Sequence, residues 1–421
     1  MRVLIVNTSE RIGGAAIAAN RLMEALNNNG IKAKMLVRDK QTDQISVVPL
    51  DKSWLHAVKF VWERFCIWCA NGFHKHRLFE LDLANVGTDI TSLPEFQEAD
   101  VIHLHWINQG FLSLDDIQKI LKSGKPVVWT MHDMWPFTGT CHYAGECENY
   151  LTACHHCPIL YNGGSKNDIS AKVFAKKQAI YAQAQIQFVA CSQWLESLAK
   201  KSSLFANQAV CNIPNAINTQ LFHPKEKDEA RKKLNLPLDK KLLLFGSLKI
   251  TDKRKGVDYL VQACKVFQQK YPELSSSIGI VAMGHEGEAL SSLFPFPVYT
   301  LDYVSKERDL VEVYNAVDLY VTPSLQDNLP NTIVEAMACG VPCVGFHVGG
   351  IPQMIDHLHN GYVAEYKDAE DFSNGIHWAL FEDDYASLSE QAVRKALATY
   401  AESTVARKYI AVYNKAIHDH A

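Results

Sequence analysis

The stretch VDLYVTPSLQDNLPNTIVEAMACGVPCVGFHVGGIPQMIDHLHNGYVAE, from Val317 to Glu365, decides the reading of this chain. A short apolar run, Leu319 to Thr322, predicts a buried strand that stops at Pro323-Ser324. A polar loop from Leu325 to Pro330 leads into a helix that opens near Asn331 and ends at Gly340. Pro342 starts the next apolar run, and Gly349-Gly350 break it before another short helix. A strand that feeds a helix through a polar loop makes an anion site, because unpaired N–H groups and the positive end of the helix dipole both face the loop. Two carboxylates, Asp327 and Glu335, bracket this turn with seven residues between them. A carboxylate inside the helix suits the hydroxyls of a ribose better than a phosphate.

The same unit recurs along the chain. Upstream, Lys241 to Phe245 predicts a strand, GSLKITDKRKG spans Gly246 to Gly256, and Val257 opens a helix. Lys249, Lys253, Arg254 and Lys255 put cations at that turn, where they can neutralise a diphosphate. Ile278 to Met283 and Val298 to Tyr303 are further strands, and Leu310 to Asn315 a helix. In the N-terminal half, Val3 to Asn7 is a strand, Thr8 to Ala15 a loop with Gly13-Gly14, and Ala16 to Asn27 a helix, again a phosphate-cradle order. Strands follow at Ile31 to Val37, Val101 to His105, Val127 to Met131 and Gln187 to Ala190, with helices at Ser170 to Gln183 and Ser192 to Lys200. Such alternation predicts an α/β chain with parallel sheets. Turn residues from Ile213 to Asn218, then Phe222-His223-Pro224, mark a linker, and Lys225 to Lys233 reads as charged and exposed. Helices at Asp368 to Leu380, Ala386 to Thr399 and Ser403 to His418 close the sequence. Ligands of open α/β sheets sit beyond the carboxyl ends of strands, which singles out His105, Trp106, His132 and Asp133.

At Asp327, Glu335, Ala336-Met337-Ala338-Cys339-Gly340, Gly349-Gly350 and Gln353 the chain resembles the donor site of the retaining GT-B glycosyltransferases, the family of sucrose synthase and bacterial mannosyltransferases. The resemblance runs through nearly the whole chain and is strongest from Leu242 to Ala364. It implies GT-B architecture: two Rossmann-like β/α/β domains facing across a cleft, at residues 1–216 and 217–402, with a helix at about 403–421 packing back on the first. The implied activity is transfer of a sugar from a UDP- or GDP-sugar to an acceptor hydroxyl, with a lipid-linked glycan in surface polysaccharide synthesis as the expected acceptor and no cofactor required. The implied roles are Asp327 and His132 at the sugar, Lys255 with Lys249 or Arg254 at the diphosphate, and Glu335 at the ribose. Tyr303 and Val304 frame the base, Asn331 and Thr332 present the helix start, and Gly13 and Gly14 lie near diphosphate and acceptor. Two positions depart from the family pattern: Asp327 stands for glutamate, and Asn328 for glycine. A nucleotide-sugar epimerase of similar fold and a non-catalytic binding protein are the competing readings.

With 421 residues, 48% hydrophobic and 21% charged, the composition is that of a globular protein, and a formal charge of −4 argues against nucleic acid as partner. No apolar run reaches the ~20 residues of a membrane span, and the start of the sequence is too soon polar for a signal peptide. Eleven cysteines then point to reduced thiols and a cytoplasmic location. Cys141, Cys147, Cys154 and Cys157 could close a structural zinc site, or stand as free thiols. No Asp-x-Asp occurs, so metal-independent transfer is expected. Between Ser53 and Arg77, Trp54, Val58, Trp62, Phe65, Cys69 and Phe73 recur at helical spacing beside Lys52, Lys59, Arg64, Lys75 and Arg77. This helix either lies on the inner face of a membrane or packs on the sheet with its basic residues solvated.

Overall fold

The computed structural model describes residues 1–50, 54–249, 252–285 and 287–420. The chain divides into two compact units, residues 1–216 with 405–421, and residues 217–404.

Unit 1 holds a sheet of seven strands: β1 (Arg2–Ser9), β2 (Lys32–Asp39), β3 (Val47–Pro49), β4 (Val101–Leu104), β5 (Val127–Met131), β6 (Gln187–Ala190) and β7 (Ala209–Asn212), in the order 3-2-1-4-5-6-7. Every pair is parallel; Val3 faces Val101, Ile102 faces Val127, and Trp129 faces Phe188. Central strands of such a sheet are covered on both faces, which is why β1, β4 and β5 read as continuous apolar runs. One face packs against Trp129, Trp135, Phe188 and Phe205. The other carries Val3, Ile5 and Val37 against the Gly14–Asn28 helix and against Val405, Ala406, Tyr409 and Tyr413 of the Glu402–His420 helix. That late helix is tied in by hydrogen bonds as well. The Tyr413 hydroxyl is 2.8 Å from His103 Nδ1, and the Tyr409 hydroxyl 2.9 Å from Thr130 Oγ1.

Unit 2 holds six parallel strands: β8 (Lys241–Lys249), β9 (Ile278–His285), β10 (Val298–Leu301), β11 (Leu319–Thr322), β12 (Cys343–Phe346) and β13 (Gly361–Ala364), in the order 10-9-8-11-12-13. The Val257–Lys270 and Ala369–His377 helices cover one face through Leu260, Cys264, Phe267, Phe372 and Ile376. Lys225 to Lys233 is exposed over most of its length, as expected, but Ala230 and Arg231 are buried. Residues Lys227–Lys233 form a helix whose Arg231 is buried, donating to Asp318 Oδ2 at 2.6 Å and to the Ala316 carbonyl at 2.8 Å.

The aromatic helix, Trp54–Ala70, also differs from the packed reading. Trp54, Val58, Trp62 and Phe65 are exposed, whereas Glu63 and Arg64 are buried. Arg64 donates to Asp82 Oδ1 at 2.6 Å and to two backbone carbonyls, so it is not solvated. Lys52 lies outside the described residues.

Candidate functional site

In unit 2 the candidate side chains Asp327, Thr332 and Glu335 lie where β11 gives way to the Asn331–Ala338 helix. Pro330 starts that helix, and no side-chain cap bonds its first turn. The loop before it is gripped from two sides. On one side is the basic turn, a 3₁₀ segment Lys253–Lys255 followed by Gly256 at φ 71°. A Cβ at Gly256 would stand 1.9 Å from the Pro323 carbonyl oxygen, which explains why glycine is needed there. Leu325 N–H donates to the Arg254 carbonyl at 2.8 Å, and Arg254 Nη1 donates to the Gln326 carbonyl at 3.0 Å. Lys255 Nζ donates to Asp327 Oδ2 at 2.6 Å. On the other side Gly349, at φ 58°, lies so close that a Cβ would be 1.7 Å from the Asp327 carbonyl oxygen. Gly350 N–H donates to the Asn328 carbonyl at 2.8 Å.

Burial pushes the Asp327 carboxyl up, but the charges of Lys255 and Arg254 and the hydrogen bonds from Lys255 and Ser324 more than offset it. Asp327 is therefore held below the usual carboxylate range and is ionised at neutral pH. Glu335 is buried and accepts from the Tyr314 hydroxyl at 2.7 Å. Thr332 Oγ1 accepts from the Tyr320 hydroxyl at 2.7 Å. Tyr303 is exposed and feels the charge of Glu335, with its ring 5.6 Å from that of His285, and Val304 follows it. Lys249 ends β8, but its side chain lies outside the described residues, as do residues 250 and 251 of the basic turn.

In unit 1, Gly13 at φ 90° precedes the Gly14–Asn28 helix and has no atom near its open face. The loop before it is pinned by Glu10, which accepts from the Gln41 and Thr42 N–H groups. His132 follows β5 directly. Its Nε2 is 2.9 Å from His105 Nδ1, and its Nδ1 is 3.5 Å from Cys191 Sγ. Burial holds His132 down to about 4 and His105 well below 6.5, so both imidazoles are neutral near pH 7. Asp133 accepts from Trp106 Nε1 at 3.0 Å and from the Trp135 N–H at 2.9 Å.

One group at this strand end escaped the sequence reading. His142 bridges two carboxylates, Nδ1 to Asp133 Oδ2 at 2.7 Å and Nε2 to Asp82 Oδ2 at 3.0 Å. Burial opposes its charge, but Asp133 and Asp82 outweigh burial and raise it to about 10. Lys177 braces the following turn: its buried Nζ donates to the carbonyls of Trp135, Thr138 and Gly139 at 2.5, 3.0 and 3.1 Å. Asp82 carries no motif and lies sixty residues from His142, so no local pattern could have paired them.

Cys141 and Cys157 are part of the unit 1 core, and Cys147 and Cys154 pack against it. Burial raises Cys141 to about 12 and Cys154 to about 11, as for apolar, protonated thiols. Among the described residues no group of three or more His, Cys, Asp or Glu side chains is placed to hold a metal ion.

Residues 239–382 match the family described as glycosyl transferases group 1. Across the chain, a D-inositol 3-phosphate glycosyltransferase of Thermobispora bispora is 25% identical over 333 residues, 76% of this chain and 71% of that protein. The putative colanic acid biosynthesis glycosyl transferase WcaC of Escherichia coli is 24% identical over 300 residues, 69% of this chain and 70% of the other. Among solved structures, sucrose-phosphate synthase of Thermosynechococcus elongatus superposes with a TM-score of 0.69 at 17% identity, covering 100% of both chains. Anabaena HepE in complex with UDP-glucose superposes with a TM-score of 0.62 at 15% identity, covering 99% of this chain and 100% of its own. These two structural likenesses support the fold: the two parallel-sheet units are those of GT-B architecture.

Proposed function

We propose that this chain, a glycosyltransferase through the glycosyl transferases group 1 domain at residues 239–382, moves a sugar from a UDP-sugar to an acceptor hydroxyl with retention at the anomeric carbon. The observation that carries this reading is the grip on the loop before Asn331: Lys255 on Asp327, Arg254 on Gln326, and an uncapped helix start beside them. Two cations next to a helix N-terminus form a diphosphate cradle. In the free protein Asp327 occupies Lys255; a bound diphosphate takes the lysine and leaves Asp327 to a sugar hydroxyl. Glu335 holds the ribose, Tyr303 and Val304 frame the base, and Asn331 and Thr332 present backbone donors.

Departure of the nucleoside diphosphate needs stabilisation of negative charge, which Lys255, Arg254 and the helix start supply without a divalent metal. In unit 1 the same reading assigns Gly13, Gly14 and His132 to substrate contacts. A neutral His132 acts there as a hydrogen-bonding group and not as a cation. The naming of WcaC for colanic acid biosynthesis supports a role in polysaccharide synthesis, and we take the acceptor to be a lipid-linked glycan. The choice of UDP rests on the HepE complex with UDP-glucose.

The test is a screen of UDP- and GDP-sugars for slow hydrolysis in EDTA, read by NMR for the anomer released first. Release of the donor's own anomer with UDP supports the reading. Interconversion of nucleotide sugars would make the protein an epimerase. Absence of both turnover and nucleotide binding would make it a binding module of the same fold.

A further inference from the structure

The Trp54–Ala70 helix is built inside out. A surface helix ordinarily buries its apolar stripe and shows water its charges. Here the side chains turned inward are Glu63, Arg64 and Ile67. Glu63 Oε1 accepts from the Leu83 and Ala84 N–H groups at 2.9 and 2.8 Å, and Arg64 reaches Asp82 and the Leu78 and Leu81 carbonyls. These bonds fix the helix by its polar face. The outward stripe is Trp54, Val58, Val61, Trp62 and Phe65, with Trp54 75%, Val61 62% and Trp62 51% exposed. Rings continue it in a chain: Trp62 to Phe65 at 5.7 Å, Phe65 to Trp68 at 5.9 Å, and Trp68 to Phe73 at 4.9 Å. An exposed apolar patch of this extent marks an interaction surface.

Charge selects the occupant. From Trp54 to Phe79 the only acid is Glu63, and it is fully buried. The same segment carries Lys59, Arg64, Lys75 and Arg77, in a chain whose formal charge is −4. Of these, Lys75 is exposed at the edge of the stripe, while Arg77 pairs with Glu80 and Lys59 donates to Thr88. We propose that this face docks on an anionic lipid bilayer, with the aromatic stripe at the level of the headgroups and Lys75 beside it. A second copy of the chain fits less well, because a two-fold contact would set one acid-free face against another. The helix has 17 residues and no helix among the described residues is long and apolar enough to cross a membrane, so it lies along the surface. The contact is mainly apolar. Arg64 is committed to Asp82 and gives nothing to the headgroups.

The experiment is co-sedimentation of the full chain with neutral phosphatidylcholine vesicles and with vesicles holding phosphatidylglycerol. The parent is compared with Trp62→Ser/Phe65→Ser and with Lys75→Glu, each checked by circular dichroism and by elution volume. The expected result is binding to anionic vesicles that falls at least tenfold in the double variant. Lys75→Glu lowers it severalfold, and salt weakens the parent only severalfold. Failure of the parent to sediment with anionic vesicles overturns the proposal, as does equal binding by the folded double variant. A parent dimer that the double variant turns into a monomer overturns it too and makes the face a protein interface. Because no substrate enters this assay, a negative result leaves the transfer reading standing, and failure of transfer leaves the docking reading standing.

Discussion

Neutralising His142 should unlock the strand end that carries His132, and the effect should depend on pH in a defined direction. His142 is raised from the ordinary 6.5 to about 10. At about 1.4 kcal/mol per pH unit, the folded state prefers its charged form by roughly 4–5 kcal/mol. Removing one partner from a buried ionic cluster costs a similar ~3–5 kcal/mol, so the two routes agree. For a base whose pKa rises on folding, the stabilisation is complete below pH 6.5 and is lost as pH climbs through about 10. His142→Gln should therefore lose roughly 3–5 kcal/mol at pH 6, and the gap to the parent should close by most of that amount by pH 10. Two neighbours also titrate. Glu63 is raised to about 8, first by burial, and Lys177 is lowered to about 7 by burial. Both feel Asp82, which His142 partners, so the difference between the two proteins reads His142 together with this cluster. Urea unfolding followed by tryptophan fluorescence is the assay, since seven of the eight tryptophans lie in unit 1. A gap that stays constant from pH 6 to pH 10 would refute a charged, doubly bridged His142.

In unit 2, Glu335→Gln should weaken binding of the nucleoside diphosphate by roughly 1–3 kcal/mol while still accepting from Tyr314; calorimetry showing parental affinity would remove Glu335 from the proposed ribose contact. Lys255→Met should cost ~1.5–3 kcal/mol of the same affinity, whereas Asp327→Asn frees the lysine, so UDP should bind at least as well while transfer falls more than about tenfold. Equal loss of affinity in both variants would mean that the pair at 2.6 Å only holds the loop. Cys141 and Cys154, raised to about 12 and about 11 by burial, should resist thiol reagents in the folded protein at pH 8 and react on unfolding. Stoichiometric zinc in protein purified without added metal would overturn the protonated-thiol account.

The central strands were legible because a parallel sheet buries both of their faces: β5, β6 and β11 begin and end where their apolar runs do. Strands β3, β7 and β13 were missed, and all three lie at sheet edges. An edge strand is half exposed and short. AVCN or GYVA has no run to distinguish it. In the site, Asp327, Glu335, Gly349 and Lys255 were visible as motif positions, but the Lys255–Asp327 bond joins two strand ends 72 residues apart and needed the fold. The aromatic helix shows the opposite limit. Spacing identified its stripe, but periodicity does not say which stripe faces the core. That was decided by partners beyond the helix, Asp82 for Arg64 and the Leu83 and Ala84 amides for Glu63.

The return of the Glu402–His420 helix to unit 1 sets a clock on synthesis. Tyr409 and Tyr413 fill the core behind β1, β4 and β5, and their hydroxyls complete the hydrogen bonds of Thr130 and His103. These residues leave the ribosome only after the 188 residues of unit 2, from 217 to 404, have been made. At about 5–20 residues per second, the nascent first unit waits roughly 10–40 s with one side of its sheet lacking the Glu402–His420 helix and held by the Gly14–Asn28 helix. Unit 2 has all its strands by then and can close first. The later half of the message therefore matures ahead of the earlier half, and a ribosome that stalls inside unit 2 strands a half-covered sheet face for chaperones to shield.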